Sequence, residues 1–225
     1  MTPPIRLAAL DMAGTTVADQ GAVEEAFQSA LDAVGLVAGD LMDDPGAYIR
    51  RTMGQSKIEV FTELLAGDRH RAEQANVAFE AAFDQAVDRG EVTALPGSEE
   101  VFAALRAGGV RLCLTTGFSP STRDRIIHTL GWAGLVDLAL SPADAGRGRP
   151  WPDMILTAVL RLRIDDVAEV AVAGDTTSDL IAGTRAGASL VAGVLTGAHT
   201  AEELAEAPHT HLLGSIGELP PLILG

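Results

Sequence analysis

Five short apolar runs, each of the near-continuous kind that a parallel sheet buries on both faces, are interleaved with helical periods along this chain. The runs are Ile5–Leu10, Arg111–Thr115, Val136–Leu140, Val167–Ala173 and Leu190–Val194, and His211-Leu212-Leu213 reads as a further short edge strand. Helical patterns fall between them at Ser98–Ala107, ended by Gly108-Gly109, and at about 120–131, 152–163 and 177–187. Alternation of this kind predicts an α/β fold with a doubly wound parallel sheet. The first two runs, however, are separated by a long block with no strand pattern. Gly21–Gly35, Tyr48–Met53, a stretch from Ser56 and residues 69–89 carry helical periods, and Asp40–Ala47 reads as a loop with Asp43-Asp44-Pro45-Gly46 as its turn. The expected organisation is therefore a core of residues 1–17 and 95–225 interrupted by an all-helical insert over 18–94.

In open α/β sheets, ligands bind beyond the carboxyl ends of the strands, and four such ends carry polar groups here. The first run delivers Asp11, followed at once by Met12-Ala13-Gly14-Thr15-Thr16, whose glycine permits a tight, anion-facing turn. The second ends in Thr115-Thr116-Gly117, hydroxyls suited to a phosphoryl oxygen or, equally, to a helix cap. Gly146-Arg147-Gly148-Arg149-Pro150 places a cation before a helix; alone it is an ordinary loop with a surface arginine. The run ending at Ala173 leads to Gly174-Asp175-Thr176-Thr177-Ser178-Asp179. Here Thr176 and Asp179 could form a capping box, whereas a carboxylate at the position of Asp175 needs a partner. Asp11 and Asp175 offer hard oxygens suited to Mg²⁺. A carboxylate can also attack phosphorus, with a metal and Arg149 offsetting the charge of the transferring group.

Composition narrows the partners. A net charge of −15 argues against nucleic acid and anionic membranes. The single cysteine, Cys113, sits in an apolar run and excludes an internal disulfide, which suits a reducing cytoplasm. The opening Met1-Thr2-Pro3-Pro4 has no signal-peptide character, and no apolar stretch reaches the ~18 residues of a membrane span, so a soluble cytoplasmic protein is expected. One bias is sharper. Of 16 basic residues only Lys57 is lysine, which singles out a position where a primary amine, not merely a charge, is needed. A surface lysine surviving by chance is the competing account.

Asp11, Thr116, Arg149 and Asp175, in that order and with a helical insert after the first, resemble the four motifs of the haloacid dehalogenase-like (HAD) hydrolases. The resemblance implies a Rossmann-like core with a helical cap and Asp11 as nucleophile. It also implies Mg²⁺ held by Asp11, the Ala13 carbonyl and Asp175, with Asp179 in support. Two positions depart from the phosphatases of that superfamily: Ala13 where they carry an acid, and Arg149 where they carry lysine. Both departures, with Met53-Gly54-Gln55-Ser56-Lys57, resemble the phosphonoacetaldehyde hydrolase (phosphonatase) branch, in which the lysine forms a Schiff base with the substrate aldehyde. Val60 and Gly21 stand where that branch carries a histidine and a cysteine. The implied catalytic set is Asp11, Lys57, Thr116 and Arg149, with Thr15, Gly117, Met53 and Arg51 at the substrate. The implied partner is a small phosphonate or phosphorylated metabolite, and a homodimer is compatible. C–P cleavage is the leading expectation. Hydrolysis of a small phosphate ester such as phosphoglycolate and non-catalytic phosphometabolite binding are the alternatives.

Overall fold

The computed structural model describes residues 3–35 and 45–225. Strand β1 (Leu7–Asp11) is followed by β2 (Val17–Ala18) and by four helices, α1 (Ala22–Val34), α2 (Pro45–Arg51), α3 (Lys57–Leu64) and α4 (Arg69–Asp88). The chain returns through β3 (Thr93–Ala94) and α5 (Ser98–Ala107) to β4 (Arg111–Thr115), α6 (Pro120–Thr129), β5 (Leu138–Leu140), α7 (Pro142–Ala145) and α8 (Asp153–Leu162). It ends with β6 (Val170–Gly174), α9 (Thr177–Ala186), β7 (Leu190–Val194), α10 (Ala201–Ala205), β8 (His211–Leu213) and α11 (Leu219–Leu224).

Six strands form one parallel sheet in the order β5-β4-β1-β6-β7-β8, so β1 is central. Its residues are buried on both faces and alternate between two cores. Ala8 and Leu10 join Leu112, Leu114 and helix α5 on one side, while Leu7 and Ala9 join Cys113, Val172 and helix α8 on the other. That two-sided burial is why the strands read as unbroken apolar runs. It also explains Cys113, whose thiol is pushed far up by burial and packs as a small apolar group.

The helical block packs on itself around Phe27, Phe61, Phe79 and Phe83, with ring centroids 4.9–6.2 Å apart. Phe118, from the loop after β4, inserts into this cluster 4.5 Å from Phe83. The block is thus seated on the sheet's carboxyl edge by an aromatic contact. A two-stranded antiparallel ribbon, Val17–Ala18 against Thr93–Ala94, forms where the chain enters and leaves it. Two residues per strand give no periodicity to read, so this ribbon is invisible in sequence.

Three of the boundaries that differ from expectation have a local cause. Val167–Glu169 is a 3-10 turn, because the Asp166 side chain accepts from the Ala168 N–H, and the strand begins only at Val170. Val136 and Asp137 lie outside β5, with the Asp137 carboxylate tied to Arg111 and to the Leu112 N–H. Pro45, expected in a turn, opens α2, a position that its fixed φ suits. Residues 40–44 of that expected loop lie outside the described residues.

Candidate active site

The turn after β1 is drawn tight by the Met12 carbonyl, which accepts from the N–H groups of Thr15, Thr16 and Val17. Gly14 has φ +83°, and any Cβ there would run into the Asp175 carboxylate. The backbone therefore approaches Asp175 as only glycine allows. Asp175 follows the last residue of β6, beside Asp11 at the end of β1. Its Oδ1 accepts from the Thr15 hydroxyl (3.1 Å) and its Oδ2 from the Ala198 N–H (2.7 Å).

Arg149 joins the two motifs. Its Nη1 donates to Asp11 Oδ1 at 2.5 Å and to Asp179 Oδ1, and all three side chains are buried. Its Nε and Nη2 are buried with no partner among the described residues, two donors still to be met. Burial works against the guanidinium charge, but Asp11 and Asp179 outweigh it and raise its pKa. Burial pushes the Asp11 carboxyl well above the ordinary range, with Asp179 and Asp175 adding to it against Arg149. Asp175 is lifted to about 6 by burial and by Asp179. Three carboxylates thus crowd one buried corner.

A cavity of about 480 Å³ opens beside this corner, walled by Asp11, Thr116, Gly117 and Arg149 below and by Met53 and Lys57 above. Thr116 Oγ1 accepts from the Phe118 N–H (3.2 Å), which leaves its own proton available to a ligand. Lys57 opens α3 and is 7% exposed, its ammonium 5.2, 5.7 and 5.4 Å from the ring centroids of Phe27, Phe79 and Phe118. Burial, with Arg149 second, lowers its pKa to about 8 against the pull of Asp11, Asp19 and Asp175.

Four expectations change in detail. Thr15 is not in the cavity wall, because its hydroxyl is committed to Asp175. Arg51 is exposed, with its guanidinium 5.3 Å from the Tyr48 ring centroid, and does not line this cavity. Arg149, expected beside the transferring group, also acts on Lys57 and lowers its pKa. Asp179 forms the expected capping box, its Oδ2 taking the Thr176 N–H and hydroxyl while Oδ1 holds Arg149. It meets the site through Arg149, while Asp11 and Asp175 line the cavity itself.

Among the described residues no group of three or more His, Cys, Asp or Glu side chains is arranged to hold a metal ion unaided. Two carboxylates and the backbone at Ala13, completed by water and substrate oxygens, match the sparse protein ligation that Mg²⁺ prefers. The mutual repulsion of Asp11, Asp175 and Asp179 would be relieved by a cation in that corner. The donor set fits.

Sequence reasoning missed the groups that hold the insert down. His199 Nδ1 accepts from the Thr177 N–H, which sets the tautomer that donates from Nε2 to the Arg50 carbonyl (3.2 Å). Gln55 reaches Ser178 Oγ at 3.4 Å. At the seam itself, a Cβ on Gly117 would collide with the Gln55 carbonyl and lie 2.9 Å from that of Gly54. Gly117→Ala is therefore expected to hold the 54–55 loop off the core and cut kcat/KM by about 10²-fold, the scale of an ångström of misplacement. Steady-state kinetics, with circular dichroism to verify folding, checks this.

A family profile described as haloacid dehalogenase-like hydrolase matches residues 5–187. "Probable phosphatase IndB" of Dickeya dadantii (strain 3937) is 28% identical over 216 residues, 95% of this chain and 91% of that protein. A phosphonoacetaldehyde hydrolase of Pseudomonas entomophila (strain L48) is 30% identical over 153 residues, which span 57% of this chain and 55% of that one. Among solved structures, a phosphonoacetaldehyde hydrolase-like protein from Oleispira antarctica superposes with a TM-score of 0.82 at 23% identity, over 99% of this chain and 92% of that chain. With the profile spanning most of the sheet and all four strand-end motifs, the chain belongs to the haloacid dehalogenase-like hydrolases.

Proposed function

We propose that this hydrolase cleaves the C–P bond of a small carbonyl-bearing phosphonate, phosphonoacetaldehyde or a close analogue, through an aspartyl-phosphate on Asp11 and an imine on Lys57. The observation that carries the reading is Lys57. The one lysine of the chain is buried in a phenylalanine cage, has its pKa lowered to about 8, and shares the cavity of Asp11. Burial is costly for an ammonium and useful for an amine that must attack a carbonyl. An imine also draws the electron pair of the breaking P–C bond, so the leaving carbon needs no acid, in keeping with Ala13.

In this reading Asp11 attacks phosphorus. The free donors of Arg149 and the Thr116 hydroxyl hold the phosphoryl oxygens, and Thr15 and Ala198 keep Asp175 in place. Asp11, Asp175 and the Ala13 carbonyl would hold Mg²⁺, which supplies charge neutralisation at the transferring phosphoryl group. The helical block of about residues 18–94 acts as a cap that admits substrate and then excludes water. A second reading, ester hydrolysis, is favoured by one observation, the near full-length similarity to a protein named a phosphatase.

A substrate panel of phosphonates and phosphate esters with Mg²⁺, followed by borohydride reduction, tests the choice. Phosphonate turnover with a reduced adduct on the Lys57 peptide is the expected result. Ester turnover with no adduct would move the assignment to the phosphatase. Excess chelator is expected to abolish either activity, and Asp175→Ala to raise the Mg²⁺ concentration for half-maximal rate at least about tenfold.

A further inference from the structure

The cavity around Lys57 contains a carboxylate that phosphoryl transfer does not use. Four acids line it: Asp11 and Asp175 belong to the crowded corner, Glu24 is exposed, and Asp19 is half-buried on the turn between β2 and α1. Asp19 is held firmly. Its Oδ1 accepts from the Gly21 N–H (3.2 Å), its carbonyl accepts from the Ala22 N–H (2.8 Å), and Gln20 and Gly21 both take left-handed φ to close the turn. Its Oδ2 makes no hydrogen bond among the described residues.

Imine chemistry needs a proton carrier at this place. Making the imine expels the carbonyl oxygen as water, and releasing product adds water back. Of the other side chains that line the cavity, Val23, Met53, Leu95 and Phe118 carry no exchangeable proton, Gln20 and Glu24 are exposed, Thr116 and Arg149 serve the phosphoryl group in this reading, and the Thr176 and Thr196 hydroxyls are given to Asp179 and to the Gly14 carbonyl. Val60, one turn along α3 from Lys57, is buried in the apolar core, and Gly21 has no side chain. We infer that Asp19 is the proton-transfer residue of the imine steps, giving the proton with which the carbinolamine hydroxyl leaves and recovering it from the water that frees the product. This rests on the C–P cleavage reading above.

The steps balance. The Lys57 amine forms a C–N bond to the carbonyl carbon, the C–O bond breaks, and water departs with the Asp19 proton to leave an iminium and a carboxylate. Attack by Asp11 breaks the P–C bond, and its electron pair moves into the iminium to give an enamine. Solvent protonates the enamine carbon. Water then adds, the C–N bond breaks, the aldehyde leaves with the amine restored, and Asp19 regains its proton. Hydrolysis of the aspartyl-phosphate returns to solvent the proton that the enamine took. Two charged groups act on Asp19, Glu24 from α1 and Lys57 from α3; burial raises its pKa, the Gly21 N–H works against that, Glu24 adds to the rise and Lys57 lowers it. One proton shared between Asp19 and Lys57 serves both roles, since the acid and the free amine together hold as many protons as the ion pair.

Asp19→Asn tests this, because the amide oxygen still accepts from Gly21 while the titratable proton is gone. With phosphonoacetaldehyde, kcat and the single-turnover rate of borohydride-trappable adduct are expected to fall together by about 10²-fold, the scale of general acid–base catalysis. Inhibition by inorganic phosphate, which reads the Arg149 and Thr116 corner, stays unchanged. Partial rescue of Asp19→Ala by formate would support a chemical role. Wild-type turnover in a folded Asp19→Asn, or phosphate inhibition weakened in step with turnover, would overturn the assignment and leave the imine intact. Wild-type enzyme that turns over esters and forms no adduct would overturn both.

Discussion

Asp11→Asn is expected to lower turnover by about 10³-fold or more, the scale seen when a catalytic nucleophile is removed, while the melting temperature in metal-free buffer holds or rises. The first half follows from chemistry, since a neutral amide neither attacks phosphorus readily nor holds a cation. The second follows from the crowded corner. Burial, with Asp179 and Asp175, raises the Asp11 carboxyl well above its ordinary range. A raised folded-state pKa means that the native state binds more protons than the unfolded one, so the ionised carboxylate costs stability at pH 7. Arg149 keeps Asp179 when Asp11 becomes an amide, and so retains an ion-pair partner. Were Asp11 a structural anchor for Arg149, the substitution would lower the melting temperature, as breaking a buried pair does. Thermal denaturation beside steady-state kinetics separates the two. Intact activity in the folded variant would end the nucleophile assignment.

The fold was legible because parallel strands buried on both faces announce themselves. β1, β4, β6 and β7 are unbroken apolar runs, and their ends carry the polar residues that the sheet brings to one edge. What failed was decided by single side-chain contacts. Asp166 and Asp137 shorten two strands by capturing backbone N–H groups or a neighbouring guanidinium, and neither choice shows in a hydrophobic pattern. The site divides in the same way. Residues placed by strand ends, such as Asp11, Thr116 and Asp175, were readable from order alone. Arg51 was not, because whether a helix residue meets the cavity depends on how the insert docks, and here Tyr48 holds it outside. His199 bridges the seam between insert and core, and Asp19 shares a cavity with residues far from it in sequence, neither of which a local pattern encodes.

Lys57→Arg is expected to abolish C–P cleavage and borohydride trapping while preserving the charge, since a guanidinium cannot form the imine. The wild-type rate is expected to hold level up to about pH 8 and to fall above it, where the one proton shared by Asp19 and Lys57 is lost. Only the free amine attacks, and its pKa is lowered to about 8 by burial and Arg149. At pH 7 that leaves about a tenth of Lys57 neutral, against roughly one part in 2,500 for an ordinary lysine. The same burial predicts a stability cost. Between about 8 and the ordinary 10.5 the unfolded chain holds a proton that the folded one has lost, so stability rises with pH through that window and the full cost stands below it. The three phenylalanine faces offset part of it, which leaves a cost on the order of 1–3 kcal/mol at pH 7. Lys57→Met, apolar and of similar length, should therefore be inactive on phosphonates yet melt at a higher temperature at pH 7, with the gain shrinking as pH climbs from about 8 towards 10.5. A lysine kept only for packing or solubility would give the reverse, retained activity and no pH-dependent gain. An inactive variant more stable than its parent is the signature of a side chain held in a phenylalanine cage for its reactivity.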